Sequence, residues 1–272
     1  MKPNVWRHLL LFPLAALTFL PLWVMLVTSF SGKNLAEESM LLWLAPQDIT
    51  VQNFIRVWQQ GNFSHYFFNS LFISCCITLA NIFFDSLVAY SLARHRFYAK
   101  KVVLLAIAVK LMIPSAVLMI PTFLLMNSLK LYDTYFALIL PMVAETFGIF
   151  ILRQAIFNLP QTFEDAARLE GMGDFRIFWF LVFPLLKPSL VVVVIHSFLT
   201  SWNMYLYPLI LTSKDNMRTL PLGINFYLSS HSDASLADFM ATAVITAFPI
   251  FLLFVFLQNK IISSMTQGAF KD

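Results

Sequence analysis

Charge is scarce in this sequence. Only 12% of its 272 residues are Asp, Glu, Lys or Arg and 59% are hydrophobic, whereas a soluble domain carries roughly 25% charged and 45–50% apolar residues. A water-soluble core of this size would need a fuller polar shell, so lipid must replace much of it. Cysteine is scarcer still: Cys75 and Cys76 are adjacent in one apolar run, and neither a disulfide between distant elements nor a spaced metal site can be read from them. There is no glycine-rich loop ending in Lys-Ser or Lys-Thr to cradle the phosphates of ATP. Five scattered histidines form no His-Glu-x-x-His pair, and no Ser-His-Asp set can be assigned. No enzyme chemistry, metal or cofactor is therefore expected. Internal repeats and low-complexity tracts are also lacking.

Long apolar runs are what the chain does have. A helix crossing about 30 Å of hydrocarbon needs about 20 mostly apolar residues. Six stretches qualify: about 8–30, 66–93, 102–127, 135–157, 183–212 and 239–262. The expected fold is an all-α polytopic helical bundle with about six transmembrane helices, a single transmembrane domain over 1–272. Lys2 and Arg7 precede the first run as in a signal peptide, but the run is long and lacks a small-residue cleavage site, so it reads as a retained span.

The basic residues set the orientation. Lys2, Arg7, Arg94, Arg96, Lys100, Lys101, Arg153, Arg168, Arg176, Lys187, Lys260 and Lys271 fall on one side of six alternating spans; Lys33, Arg56, Lys130, Lys214 and Arg218 fall on the other. The positive-inside rule then puts both termini and the loop of about 158–182 in the cytoplasm of a multi-pass membrane protein. The net charge of +4 is thereby explained by membrane orientation, and nucleic acid is not an expected partner. In the outer segment, about 31–65, Val51, Phe54, Ile55 and Trp58 recur at helical spacing. They predict a short amphipathic helix, either at the lipid interface or packed as a cap over the bundle.

The cytoplasmic loop carries the most specific pattern. Pro160 can open a helix, Thr162 can cap it and Glu164 and Asp165 suit its first turn, and Gly171 and Gly173 allow a sharp turn before Asp174 caps the next helix. Phe163, Leu169, Phe175 and Phe178 exceed what a solvated loop needs, which points to a face covered by protein. Asp165-Ala166-Ala167, three residues, Gly171, nine residues, then Leu181-Val182-Phe183-Pro184 resembles the Glu-Ala-Ala signature loop of bacterial ATP-binding-cassette importer permeases. Asp165 stands where glutamate is usual, with Glu164 before it, and Phe183 where leucine is usual. Met112-Ile113-Pro114, Leu131-Tyr132-Asp133-Thr134, Ser201-Trp202-Asn203 and Arg218-Thr219-Leu220-Pro221 extend the likeness over nearly the whole chain, toward the maltose-type second permease subunit of the carbohydrate-uptake branch.

That resemblance implies a bacterial inner-membrane subunit that pairs with a second permease subunit as a heterodimer. It also implies two ATPase subunits, an extracytoplasmic solute-binding protein and a sugar-like substrate. It makes the loop a coupling helix in which Glu164 or Asp165 pairs with a basic residue of the ATPase, while Ala166, Ala167 and Gly171 permit close approach. The bland alternative is that the glycines only end helices and the acids only solvate them.

Four ionisable residues, Asp85, Lys110, Glu145 and His196, fall at middle depths of the second to fifth runs. Burying a charge there costs at least about 2.5–3.5 kcal/mol, so Lys110 is expected either to neutralise Asp85 or Glu145 or to line a polar pathway. Trp202 and Asn203 are further pathway candidates, since an indole face stacks on sugar rings and an amide meets hydroxyls. Two other functions stay open at this stage: an ion-coupled secondary transporter using Asp85, Glu145 and His196 as a relay, and a membrane scaffold that docks a soluble protein.

Overall fold

Apolar runs without interruption become long helices, and prolines decide where the others break. The computed structural model describes residues 5–32, 48–60, 62–230 and 235–269. Lys2, Lys33 and Lys271 lie outside them. In order come α1 (Val5–Ser29), α2 (Gln52–Gln60), α3 (Phe63–Arg94), α4 (Lys100–Met112), α5 (Ser115–Ser128), α6 (Tyr135–Ile139) and α7 (Thr146–Phe157). They are followed by α8 (Thr162–Leu169), α9 (Asp174–Ile177), α10 (Phe183–Leu185), α11 (Lys187–Trp202), α12 (Leu206–Leu211), α13 (Leu220–Ser230) and α14 (Leu236–Ala269). A π-helical turn, Phe178–Val182, joins α9 to α10.

The all-α membrane fold expected from the runs is what forms. Among the described residues, four stretches are long and apolar enough to cross a bilayer: Leu11–Ser29, Phe63–Arg94, Tyr135–Phe157 and Leu236–Gln258. Two further expected spans differ from straight rods. The run at 102–127 is α4 plus α5, bent by 111°, because Pro114 forces Ile113 into extended backbone (φ −84°, ψ 119°). The run at 183–212 is also broken. Its straight part is α11, a leg from Asp174 to Leu185 bends away from it by 80°, and the helix stops at Trp202 before restarting as α12.

Two compact units are distinguishable, Met1–Ser64 with Gly223–Phe251 and His65–Leu222 with Leu252–Asp272. In the first, α2 forms where the spacing predicted it. It is tied down by Asn53, whose Nδ2 donates to the carbonyls of Ser29 and Ser31, both at 2.9 Å, and by an Arg56–Asp238 ion pair of 2.9 Å. The face it buries is centred on Asn53 and Val57, and of the four expected apolar residues Phe54 packs on Phe30 (4.9 Å between rings) while Val51, Ile55 and Trp58 stay exposed. The helix therefore sits rotated from the face read off its hydrophobic spacing, because the polar anchors Asn53 and Arg56 set which side is held against the rest of the unit.

Two clusters of buried side chains stand out among the described residues of the second unit. One gathers Tyr90, Leu152, Ile156, Ile177, Phe178 and Leu186 beneath α8 and α9; the other gathers Ile73, Ile77, Met126, Leu138, Met204 and Leu211. α3 contributes to both, and so runs alongside every feature described next.

Candidate functional site

The loop between α7 and α11 is a bent helix pair. Gln161 occupies the capping position of α8 without a side-chain bond, so Thr162 is the first helical residue and not the cap. Glu164 and Asp165 lie in the first turn, where the helix dipole favours acids. α8 ends in a Schellman motif: the amide of Met172 donates to the carbonyl of Ala167 and that of Gly171 to the carbonyl of Arg168, both at 3.0 Å. Gly171 has φ +82°, where a Cβ would be strained although no neighbour lies within 4 Å. Gly173 differs from expectation. Its φ of −74° and ψ of 157° are open to any residue, and it precedes α9, whose first residue is Asp174 instead of its cap. The Asp174 carboxylate accepts from Arg168 at 3.2 Å.

The two adjacent acids part company here. Asp165 has an exposed side chain (64%), whereas that of Glu164 is 2% exposed and lies 2.6 Å from Arg94 Nε. Tyr90 donates its hydroxyl to the other oxygen of Glu164 at 3.2 Å, and Arg94 Nη2 donates to the carbonyl of Leu159 at 2.8 Å. Adjacent helical residues point about 100° apart, so one acid faces the bundle and the other leaves it. Glu164 is thus engaged within its own chain, and Ala167 is buried with it. Asp165, Ala166 and Gly171 are exposed. Around them Phe163, Leu169, Phe175 and Phe180 present exposed apolar side chains, Leu169 at 91%.

At membrane depth lies a cavity of about 660 Å³ whose lining includes Asn81, Lys110, Glu145, His196, Asn203 and Tyr207. Glu145 precedes α7 at a break in the span and pairs with His196 at 3.0 Å; Phe147 lies against the imidazole at 4.1 Å. The expected partner of Lys110 does not appear. Lys110 lies in the last turn of α4, just before the 111° bend, is exposed, and makes no ion pair among the described residues. Asp85 is fully buried, and no side chain among the described residues hydrogen-bonds its carboxylate, which is left to the backbone of Glu145. It is pressed against Gly148, where an added Cβ would collide with Oδ2. Asn203 lines the cavity, its Nδ2 donating back to Leu199 at 2.9 Å. Trp202 does not line it. Its side chain is wholly buried, stacked on Phe198 (5.7 Å, 11°) with Phe67 edge-on at 5.7 Å, because the break after α11 turns Asn203 outward and leaves Trp202 in the aromatic core.

At the opposite end of α3 from Arg94, Asn69 Nδ2 donates to the carbonyls of Asn216 (2.8 Å) and Arg218 (2.9 Å). The Leu220 amide donates to Ser70 Oγ at 2.7 Å, and Tyr66 donates to Asp215 at 2.7 Å. Asp133 holds the same segment by accepting from the amides of Ser213 (3.0 Å) and Lys214 (3.2 Å). Burial pushes its carboxyl up, but those amides and the Lys214 ammonium outweigh burial and keep it below the usual carboxylate range. Sequence reasoning missed Tyr90, Arg94, Asn69 and Tyr66 as site residues. Tyr90 and Arg94, four apart on one face at the end of an apolar run, were the available signal.

A helical membrane protein with a cavity at bilayer depth and an exposed, apolar, acid-bearing helix pair at one end has the features of a transport permease that meets a soluble partner. Residues 85–267 match the family of binding-protein-dependent transport system inner membrane components, and the chain belongs to that family. It is 34% identical over 260 residues to the arabinooligosaccharides transport system permease protein AraQ of Halalkalibacterium halodurans, covering 95% of this chain and 93% of that protein. The inner membrane ABC transporter permease protein YcjP of Escherichia coli is 31% identical (94% and 92% covered). The sn-glycerol-3-phosphate transport system permease protein UgpE of Yersinia enterocolitica is 29% identical (97% and 96%). In fold the chain is similar to one in a crystal structure of a bacterial ABC transporter involved in the import of the acidic polysaccharide alginate, with a TM-score of 0.82 over 94% of this chain and 95% of that one at 23% identity.

Proposed function

We propose that this chain is one of two permease subunits of an ATP-driven importer for sugars or related polyol and glycoside solutes in the bacterial inner membrane. The loop at 158–182 and both termini face the cytoplasm, as the distribution of Lys and Arg requires. ATP is hydrolysed by a pair of separate ATPase subunits, and an extracytoplasmic solute-binding protein delivers the solute. Kinship to permeases named for arabinooligosaccharides and sn-glycerol-3-phosphate supports this solute class.

One observation carries the coupling role. The exposed surface of α8 and α9 combines Phe163, Leu169 and Phe175 with the exposed carboxylate of Asp165, which accepts from Arg168 at 3.2 Å, while the underside of the same helix is bolted to α3 through Glu164 and Arg94. Covering each such apolar side chain with a partner stabilises the contact by about 1.5–3 kcal/mol, and Asp165 selects a basic rim. Closure of the ATPase pair would then move α8 together with the helices behind it, switching the cavity from one side of the membrane to the other. In proteoliposomes holding the whole assembly, uptake is expected to require ATP at the loop side, stop with vanadate and persist when ion gradients are collapsed. Uptake that follows an ion gradient and ignores ATP would refute the reading.

A further inference from the structure

We infer that α3 is a stiff strut that carries motion of the cytoplasmic loop across the membrane to the segment 212–220, with Tyr90 and Arg94 as its inner positioning residues and Tyr66, Asn69 and Ser70 as its outer ones. The inference rests on the importer reading and adds to it the path by which force crosses the bilayer.

Stiffness comes first. The other apolar segments of span length among the described residues are each interrupted: α1 contains Pro13 and Pro21, α14 contains Pro249, the α4–α5 and α9–α11 segments are bent by 111° and 80°, and Tyr135–Phe157 is broken between Leu140 and Glu145. α3 runs 32 residues with neither proline nor glycine. Proline removes a helical hydrogen bond and glycine softens the backbone, so α3 is the one segment of these that transmits displacement along its axis without a built-in joint.

Both ends of the rod are pinned to segments outside it, α8 at one end and 212–220 at the other. At the inner end Arg94 and Tyr90 grip Glu164 on α8. From there to Asn69 is about 38 Å at 1.5 Å per residue, and at that end four hydrogen bonds of 2.7–2.9 Å fix Tyr66, Asn69 and Ser70 to Asp215, Asn216, Arg218 and Leu220. Between the pins Asn81, on the cavity wall, donates to Ser197 Oγ at 3.1 Å. A push at α8 therefore reaches the cavity wall and the outer segment together.

The test uses the full assembly in proteoliposomes, measuring solute taken up per ATP hydrolysed. Cys75 and Leu79 lie on the exposed side of the middle of α3, away from both pins. Cys75→Gly with Leu79→Gly softens the rod there, and Cys75→Ala with Leu79→Ala is the control. The glycine pair is expected to lower the ratio about fivefold or more, the lower range of ordinary coupling between distant sites. The alanine pair should match the unmodified protein with the ATPase still co-purifying. Equal ratios for the two pairs overturn the strut. Tyr66→Phe and Tyr90→Phe give a second measurement that leaves both rings in place. Each is expected to lower the ratio, and the combined variant to fall no further than the worse single, because two breaks in one series path do not add. Additive losses overturn the proposal. ATP-independent uptake by the unmodified assembly would instead contradict the importer reading itself.

Discussion

At the Arg94 end of α3, Glu164 and Arg94 are 2% and 6% exposed and 2.6 Å apart, and Tyr90 closes the cluster. Halfway along the same helix, Asp85 is buried with no side-chain hydrogen-bond partner among the described residues and Lys110 stands in a cavity with no ion pair among them, while Glu145 and His196 satisfy each other. The residue types are nearly the same and their conditions are opposite. The inner cluster is complete within the chain, so its charge acts as structure; in the middle set Lys110, Glu145 and His196 face open volume, which is what a passage for hydroxyl-rich solutes needs.

Breaking the complete cluster should cost most. Glu164→Ala strands a buried guanidinium, and the expected loss is about 3–5 kcal/mol, read as a lower unfolding midpoint of the detergent-purified assembly. Replacing both partners, Arg94→Met with Glu164→Leu, should recover most of that loss. A Glu164→Ala protein as stable as the unmodified one would show the pair to be ornamental.

In the middle set the tight point is steric. Gly148→Ala drives a methyl into the Asp85 carboxylate, with an expected cost of about 1–3 kcal/mol as for other overpacked cores. Asp85→Ala should restore the stability of Gly148→Ala by opening the space, and failure of that rescue would place the strain elsewhere.

The exposed side of the loop predicts a smaller effect. Gly171→Ala forces an alanine to φ +82° at about 1–2 kcal/mol, and Gly171→Asn should cost less, since asparagine enters the left-handed region more readily. Solute moved per ATP should follow the same order. Smallest of all is Lys110→Met. With no ion pair to lose, its stability should stay within about 0.5 kcal/mol of the unmodified protein, while solute affinity changes. A large fall in stability instead would mean that Lys110 belongs to the structural charges.

Much of the fold was legible because membrane spans are written as apolar runs, and α3 and the Tyr135–Phe157 span fall where those runs lie. The bends were half legible. Pro114 was visible as a break point, yet a 111° angle depends on what packs around α4 and α5, which local sequence does not encode. The turn at Gly171 could be read because positive φ selects glycine; Gly173 could not be told apart from it, since a glycine in ordinary backbone looks the same in sequence. Which of Glu164 and Asp165 faces inward was beyond reach, because the answer depends on Arg94, 70 residues away. Trp202 misled for a related reason: an indole beside an asparagine fits a sugar site, and only the stack on Phe198 shows that its face is already used.

The most direct measurement is a cross-link from the loop. With Cys75 and Cys76 replaced by serine, a single cysteine at Leu169→Cys, the most exposed apolar position of α8, is expected to bond to the ATPase in the assembled importer, with a yield that changes when ATP binds. A cysteine there that is labelled from outside the cell, or that never reaches the ATPase while uptake proceeds, would contradict the account.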